Sequence, residues 1–192
     1  TNFNNYFGRI YQARYLAGIV AGKKTINGKI GYVAAMENNE VNRGINAFAL
    51  GVRRVNPDAE VVVSWSGEWD NEEKEKQAAY DLIHEEQADV LTCHQNRANV
   101  VEVAEAEGIY SIGYHIAPET HSDKNLTTVE CRWSLVYEEI IRAYLVGKGN
   151  RKDNYWIGLE ADAVGLAAYS AEVSEEVIRE VEQAKQEILS GW

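Results

Sequence analysis

The sequence predicts an α/β protein whose core is a doubly wound parallel sheet, because short apolar runs alternate along the chain with amphipathic helices. The first apolar run spans residues 28–35 and has no charge after Lys29, which is typical of a strand buried on both faces. In the segment that follows, Ile45, Phe48 and Val52 recur at helical spacing. Strands and helices that alternate in this way form right-handed crossovers, and ligands bind at the strands' carboxyl ends.

The elements follow in order. A helix is predicted over residues 7–23, where Gly18 and Gly22 would let a neighbouring element approach closely. The later apolar runs predict strands at 59–65, 89–93, 110–114 and 126–131. The amphipathic runs predict helices at 71–87 and 98–107, and Asp70 is the predicted N-cap of helix 71–87. After Trp133 the pattern changes to a helix at 135–146, short strands at 155–159 and 164–167, and a helix at 175–189 capped by Ser174.

Composition excludes several classes of protein. The formal net charge is −11, from 30 acidic and 19 basic residues, which argues against a nucleic-acid partner.

The 192 residues suit one domain, or one domain and a piece of a second. Cys93 and Cys131 lie in apolar strand-like contexts and are expected to be buried free thiols. The sequence has neither a phosphate-binding loop nor a GxGxxG motif after the first strand, so no cofactor is predicted.

The four histidines invite a metal or catalytic hypothesis. They are His84, His94, His115 and His121. His94 and His115 follow strand ends and could lie near each other, but no carboxylate or cysteine stands at ligand spacing around them. Pairing either histidine with a cysteine nucleophile would also need an oxyanion loop, which the sequence lacks. We therefore predict neither a metal site nor an enzyme.

Aromatic residues at the predicted strand ends indicate a binding pocket. Trp65, Trp69, Tyr114 and Trp133 all lie at or just after such ends. Packing beneath the helices would account for Trp65 or Tyr114, whereas Trp69 and Trp133 stand among polar residues. Aromatic walls with a few polar groups are typical of a pocket for a flat ligand. The alternative is that these aromatic side chains cover an interface between lobes.

A series of motifs resembles a known family. Residues 15–18, 28–33, 43–48 (Arg-Gly-Ile-Asn-Ala-Phe) and 55–59 are followed, in the family's order, by 88–90, 108–113 and 126–129. Together they resemble the basic membrane protein (BMP) family of substrate-binding lipoproteins, which serve ABC importers and include purine-nucleoside receptors. The resemblance implies a type I periplasmic-binding fold, in which two lobes close on a ligand in a hinge cleft.

The resemblance also implies a domain organisation. Residues 5–130 and 163–192 would form the second lobe, residues 134–160 would be a returning segment of the first lobe, and the N-terminal part of the first lobe would be absent from this chain. The hinges would lie near residues 35, 130–133 and 160–162. The whole protein would be an extracytoplasmic lipoprotein that meets an ABC permease. Helix 135–146 would then associate with the missing lobe or with another copy of the chain.

The family's ligand-binding positions match only in part. Purine-nucleoside receptors end their fourth strand in Ile-Gly-x-Asp, whose Asp resembles an acceptor for sugar hydroxyls, and here His115 replaces it. Their lysine after the fifth strand aligns with Cys131. The ligand is therefore expected to be a purine base or a nucleoside-like planar compound. Trp69, Tyr114 and Trp133 would wall the site, His94, Gln95, His115 and Glu130 would bind polar edges, and Glu160 would lie at a hinge.

Two alternatives stay open at this point. One is a ligand-sensing domain of a regulatory protein with the same fold. The other is a flavodoxin-like enzyme, which a bound cofactor or turnover would reveal. The prediction for the intact protein is the solute-binding component of an ABC importer.

Overall fold

The core of the chain is a six-stranded sheet between two layers of helices, in a computed structural model that describes residues 5–116, 122–148 and 154–191. The strands are β1 Asn5–Gly8, β2 Lys29–Ala34, β3 Glu60–Trp65, β4 Val90–His94, β5 Tyr110–Tyr114, β6 Asn125–Cys131, β7 Asn154–Ile157 and β8 Val164–Leu166. The helices are α1 Ile10–Lys24, α2 Asn39–Val55, α3 Glu72–His84, α4 Asn99–Ala106, α5 Trp133–Leu145 and α6 Glu175–Leu189, with a 3-10 turn at Leu159–Ala161.

The strand order confirms the predicted fold class with one correction. The large sheet runs β3-β2-β4-β5-β6-β8, and its first five strands are parallel. β8 is antiparallel to β6, so the sheet is not wholly parallel. The chain reaches β8 from the 3-10 turn beside the end of β6, where the Arg132 N–H donates to the Ala163 carbonyl at 2.8 Å. No crossover helix separates the turn from β8, and the strand therefore enters in the opposite direction.

Helices α1, α2 and α6 cover one face of the sheet, and α3 and α4 cover the other. Helix α1 is apolar on nearly all sides because it lies between the sheet and α2. The predicted close approach at Gly18 is confirmed, since a Cβ there would overlap the Phe48 carbonyl of α2. Gly51 plays the same part from α2, against the Tyr15 carbonyl of α1. Backbone therefore packs on backbone at the centre of this face.

A second, two-stranded sheet lies apart from the large one. β1 pairs in parallel with β7, from Asn5 opposite Asn154 to Gly8 opposite Ile157. The prediction of one helix from residue 7 was therefore wrong, and α1 begins only at Ile10. A four-residue strand whose partner lies almost the length of the chain away leaves no local signal. The division of the chain into lobes stays a prediction.

Several helix boundaries differ from those predicted. Asn71, rather than Asp70, caps α3 by accepting a hydrogen bond from the Lys74 N–H at 3.1 Å. Asp70 instead pairs with Arg97. The cap of α6 is confirmed, with the Val177 N–H donating to the Ser174 hydroxyl at 3.4 Å. Helix α5 begins at Trp133, two residues earlier than predicted, so this tryptophan is part of a helix.

Candidate ligand-binding site

A cavity of about 540 Å³ opens where β1, the ends of β5 and β6, and the start of α5 meet. Its lining residues are Asn5, Tyr6, Phe7, Gly8, Ile10, Glu40, Tyr114, His115, Cys131, Trp133 and Tyr137. Five of these side chains are aromatic, and the polar groups among them are few. Such a lining suits a small ligand with a flat ring.

Tyr6 organises one wall of this cavity. Its ring centroid lies 5.3 Å from that of Trp133 and 5.5 Å from that of Tyr137, both edge to face. The hydroxyls of Tyr6 and Tyr137 are 3.0 Å apart and share a hydrogen bond. Edge-to-face contacts of this kind favour one arrangement of the rings. Strand β1 and helix α5 therefore present a joined aromatic surface.

Glu40 supplies a carboxylate to the cavity. It lies in the first turn of α2, whose cap Asn38 accepts hydrogen bonds from the Glu40 N–H at 2.9 Å and the Val41 N–H at 3.0 Å. Partial burial raises the pKa of Glu40 above its ordinary value, and the nearby charge of Arg43 opposes that rise. A carboxylate here can accept hydrogen bonds from hydroxyl or N–H groups of a ligand.

His115 supplies a hydrogen-bond donor. Its backbone has a positive φ of 55°, which turns the chain away from β5. The Cys131 N–H donates to Nδ1 of His115 at 3.3 Å, so in the neutral ring the proton lies on Nε2. Desolvation in the cavity wall, followed by the charge of Arg14, lowers the pKa of His115. The ring is partly open to solvent, which screens part of this effect.

Behind Tyr114 lies a buried charged residue, Arg14 of α1. It has no exposed surface, and its guanidinium lies 4.4 Å from the centroid of the Tyr114 ring. Its Nη2 donates to the Cys93 carbonyl at 2.8 Å. The His94 ring lies 4.4 Å from that of Tyr114, and burial, followed by the charge of Arg14, lowers the pKa of His94 to about 2. Both side chains support Tyr114 from within the core.

Trp69 and Gln95 lie outside the cavity lining. Trp69 is half-buried against the core, with its ring edge to face with His94 at 5.7 Å. Gln95 is 1% exposed, and its Nε2 donates to the Ser66 hydroxyl at 2.7 Å. Both residues are placed beside His94 rather than at the cavity surface.

The two predicted glutamates point to different places. Glu130 lines a neighbouring cavity of about 320 Å³ with His115, and its Oε2 lies 3.9 Å from Nε of Arg132. Glu160 follows β7, accepts a hydrogen bond from the Gly158 N–H at 3.0 Å, and lies 3.9 Å from Arg9. Glu160 therefore stands apart from the other predicted residues.

The structure brings Tyr114, His115 and Trp133 together in the lining of one cavity. Sequence reasoning missed the other residues of the lining, among them Tyr6, Phe7, Glu40 and Tyr137, and it missed the buried Arg14 behind them. A signal for Arg14 was present, since this charge shares a helix face with Ile10, Ala17 and Ala21. Glu40 and the residues of β1 carried no such signal.

The cysteines are free, as predicted. Cys93 is fully buried, and burial raises its pKa to about 12. Cys131 is only half-buried and lines the cavity, which differs from the prediction, although its pKa is also raised to about 12 by partial burial. Both thiols are therefore protonated near neutral pH.

Within residues 5–116, 122–148 and 154–191, no group of three or more histidine, cysteine, aspartate or glutamate side chains could hold a metal ion. His121 lies outside these residues. No helix in the described part of the chain is long and apolar enough to cross a membrane.

Comparisons with known proteins bear on this site. A relative from Haloferax volcanii named "Putative ABC transporter glucose-binding protein TsgA13" is 35% identical over 98% of this chain and 48% of its own length. A "Purine-binding protein" of Brucella abortus is 32% identical over 99% of this chain and 54% of its own length. This chain therefore spans about half the length of these relatives.

The solved structures show the same fold. An ABC transporter solute-binding protein from Aeropyrum pernix superposes with a TM-score of 0.84 at 20% identity, over 98% of this chain and 65% of that one. The family described as ABC transporter substrate-binding protein PnrA-like matches residues 1–191. The resemblance found in the sequence motifs is thereby confirmed, and the chain belongs to the PnrA-like family of ABC transporter substrate-binding proteins, the Bmp family.

Proposed function

We propose that this chain is part of the solute-binding component of an ABC importer and that it binds a small planar ligand, a purine base or a nucleoside-like compound. The observation that carries the proposal is the cavity in which aromatic rings surround one carboxylate and one histidine. A flat ring stacks on such walls, while the polar groups select among ligands of similar shape.

The polar groups of the cavity define which hydrogen-bonding groups the ligand carries. Glu40 accepts hydrogen bonds, so the ligand presents an N–H or a hydroxyl to it. His115 donates through Nε2, because its Nδ1 already accepts from the Cys131 N–H. The ligand therefore also carries an acceptor, such as a ring nitrogen or a carbonyl oxygen. Purines combine both kinds of group around one flat ring.

A further segment of the whole protein covers the cavity in this proposal. Among the described residues the parallel pair β1–β7 has two strands, and parallel sheets are ordinarily larger and buried. Helix α5 exposes 57% of Ile141, 67% of Tyr144 and 76% of Leu145. More strands and helices of a first lobe would bury both surfaces. The relatives, about twice as long as this chain, have room for such a lobe.

The wider setting belongs to the same proposal. The intact protein would be anchored outside the cytoplasm as a lipoprotein and would deliver its ligand to a permease. Binding rather than catalysis fits the site, because the thiols of Cys93 and Cys131 are held protonated by burial.

The test is isothermal titration of the full-length protein with hypoxanthine, adenosine, guanosine and D-glucose. Glucose is included because of the name of the Haloferax relative. We expect heat with at least one purine compound, and a loss of affinity of about tenfold or more for Trp133→Ala, which removes a wall of the cavity. The control is Trp65→Ala, an exposed tryptophan at the end of β3 that lies outside the lining.

Two results would contradict the proposal. Binding of glucose alone would replace the planar ligand with a sugar. Purine binding that Trp133→Ala and Trp65→Ala weaken equally would place the ligand elsewhere in the protein.

A further inference from the structure

Behind the wall of the cavity, the three buried side chains beside Gly44 carry polar atoms that have no hydrogen-bond partner among the described residues. These atoms are Nε of Arg14, the hydroxyl oxygen of Tyr32 and Nδ1 of His94. Arg14 and Tyr32 have no exposed surface, and His94 is 1% exposed. Unpaired polar atoms at this depth are costly, and native proteins ordinarily satisfy them.

Gly44 of α2 borders all three of these side chains. A Cβ built on it would lie 3.7 Å from Cγ of Arg14, from Nδ1 of His94 and from the hydroxyl oxygen of Tyr32, and these are its nearest contacts outside its own stretch of helix backbone. Gly18 and Gly51 differ, because a Cβ on either would overlap a backbone carbonyl. Close packing of helices therefore accounts for Gly18 and Gly51 but not for Gly44. What Gly44 leaves is room beside two unpaired polar atoms.

We propose that Gly44 makes room for one internal water molecule that accepts a hydrogen bond from the Tyr32 hydroxyl and donates one to Nδ1 of His94. Internal water of this kind requires a polar site with two to four partners, and it commonly satisfies groups that the protein leaves unpaired. The site is independent of which ligand the cavity binds.

The occupant is neutral rather than an anion. The charge of Arg14 already faces the Cys93 carbonyl, the Thr92 hydroxyl at 3.4 Å and the rings of Tyr32 and Tyr114. When the neutral His94 ring carries its proton on Nε2, Nδ1 is an acceptor, and an acceptor repels an anion. A water molecule can donate to His94 and accept from Tyr32 at once.

This water links the buried core to the candidate site. The His94 ring lies 4.4 Å from the ring of Tyr114, which lines the cavity. A hydrogen bond at Nδ1 fixes the rotation of the His94 ring and so the surface against which Tyr114 rests. Gly44 and Tyr32 are positioning residues in this arrangement, because neither touches the cavity.

Two substitutions in the full-length protein test the proposal by the sign of their effect on urea unfolding. Gly44→Ala meets ordinary contact distances and adds a better helix former, so without a water it would raise the folding equilibrium constant about fivefold. Tyr32→Phe would likewise be neutral or stabilising if the hydroxyl were truly unpaired. With the water present, each variant loses one of its hydrogen bonds, and we expect each to lower the folding constant about tenfold.

Gly44→Ser is the matched rescue, since its hydroxyl can take the place of the water, and we expect it to be more stable than Gly44→Ala. Tyr80→Phe, on the exposed side of α3, controls for removal of a tyrosine hydroxyl and should leave stability unchanged. A rise in stability for Gly44→Ala or Tyr32→Phe would overturn the proposal.

Two direct observations complete the test. A high-resolution crystal structure should show one water within hydrogen-bond distance of both Tyr32 and His94, and this water should be missing in Gly44→Ala. The ¹⁵N spectrum should show His94 with its proton on Nε2, and the Nδ1 resonance should shift in Gly44→Ala although residue 44 carries no titrating group. An ion in the density, or an unshifted Nδ1, would contradict the proposal.

Discussion

The large sheet and the small β1–β7 sheet differ in how completely each buries its own surface. Around the large sheet, α1 lies between the strands and α2 with most of its residues buried. Around the small sheet, α5 has a single buried residue, Val136, and exposes a row of apolar side chains. The candidate site lies where these two regions meet. One region is therefore a self-sufficient scaffold, and the other is a surface that a partner can complete.

The largest effect is expected where the scaffold is most tightly packed. In Gly51→Ala the new methyl group would overlap the Tyr15 carbonyl, so α1 and α2 would have to move apart. We expect the free energy of unfolding to fall by about 2–3 kcal/mol. Urea denaturation gives the value. Asn46→Ala, at an exposed position on the same helix, should change it by less than about 0.5 kcal/mol. An equal loss in both variants would show that the close approach of α1 and α2 is not the cause.

The second effect tests burial of the polar groups beneath the site. His94 has its pKa lowered from 6.5 to about 2 in the folded chain. Between these pH values His94 binds a proton in the unfolded chain but not in the folded chain, so the free energy of unfolding falls as the pH drops from 6.5 towards 2. From pH 7 to pH 5 this amounts to about 2 kcal/mol.

The measurement is urea unfolding at both pH values. His94→Gln should remove that part of the pH dependence, whereas His84→Gln, at an exposed position, should retain it. If the His94→Gln protein loses as much stability on acidification as the wild type, the ring is not held neutral in the core.

The third effect lies at the boundary between the two regions. Glu40→Gln keeps the shape of the side chain but replaces a charged acceptor with a weaker neutral one. We expect the affinity of the full-length protein for the proposed purine ligand to fall about tenfold, as measured by titration calorimetry. The control is Glu37→Gln, which removes the same charge at a nearby exposed position. Equal losses in the two variants would mean that net charge, and not a contact in the cavity, governs binding.

Sequence alone predicted the scaffold well and the partner surface poorly. The strands of the large sheet are continuous apolar runs such as residues 61–63, and the period of α6 is clear, so local pattern sufficed. Local pattern did not predict β1, because only its pairing with β7 makes Asn5–Gly8 a strand. A pairing between distant segments is a tertiary effect that no short window contains.

The candidate site divides in the same way. Tyr114 ends a strand and His115 and Trp133 follow strands, so the rule that ligands bind at strand ends grouped them in the predicted site. Tyr6 entered the cavity through the strand that was predicted as a helix. Glu40 carried no local signal, and capping by Asn38 draws it into the first turn of α2 and towards the cavity. Tyr6 and Glu40 were thus missed because local pattern did not show where α1 and α2 begin.

The smallest effect is the one that distinguishes a bare surface from a covered one. Leu145 is 76% exposed here, so Leu145→Ser should change the stability of the 192-residue chain by less than about 0.5 kcal/mol. In the full-length protein a first lobe would cover this side chain. The same substitution should then lower the free energy of unfolding by about 1–2 kcal/mol, because it removes buried apolar area. Leu50→Ser, at 58% exposure on α2, is the control and should have a similar small effect in both lengths of chain. Because the two changes in unfolding free energy come from the same substitution, the difference between them measures directly how far the first lobe covers α5. A small effect of Leu145→Ser in both lengths would mean that the apolar row on α5 stays exposed, and the first lobe would then have to meet the candidate site from β1–β7 alone.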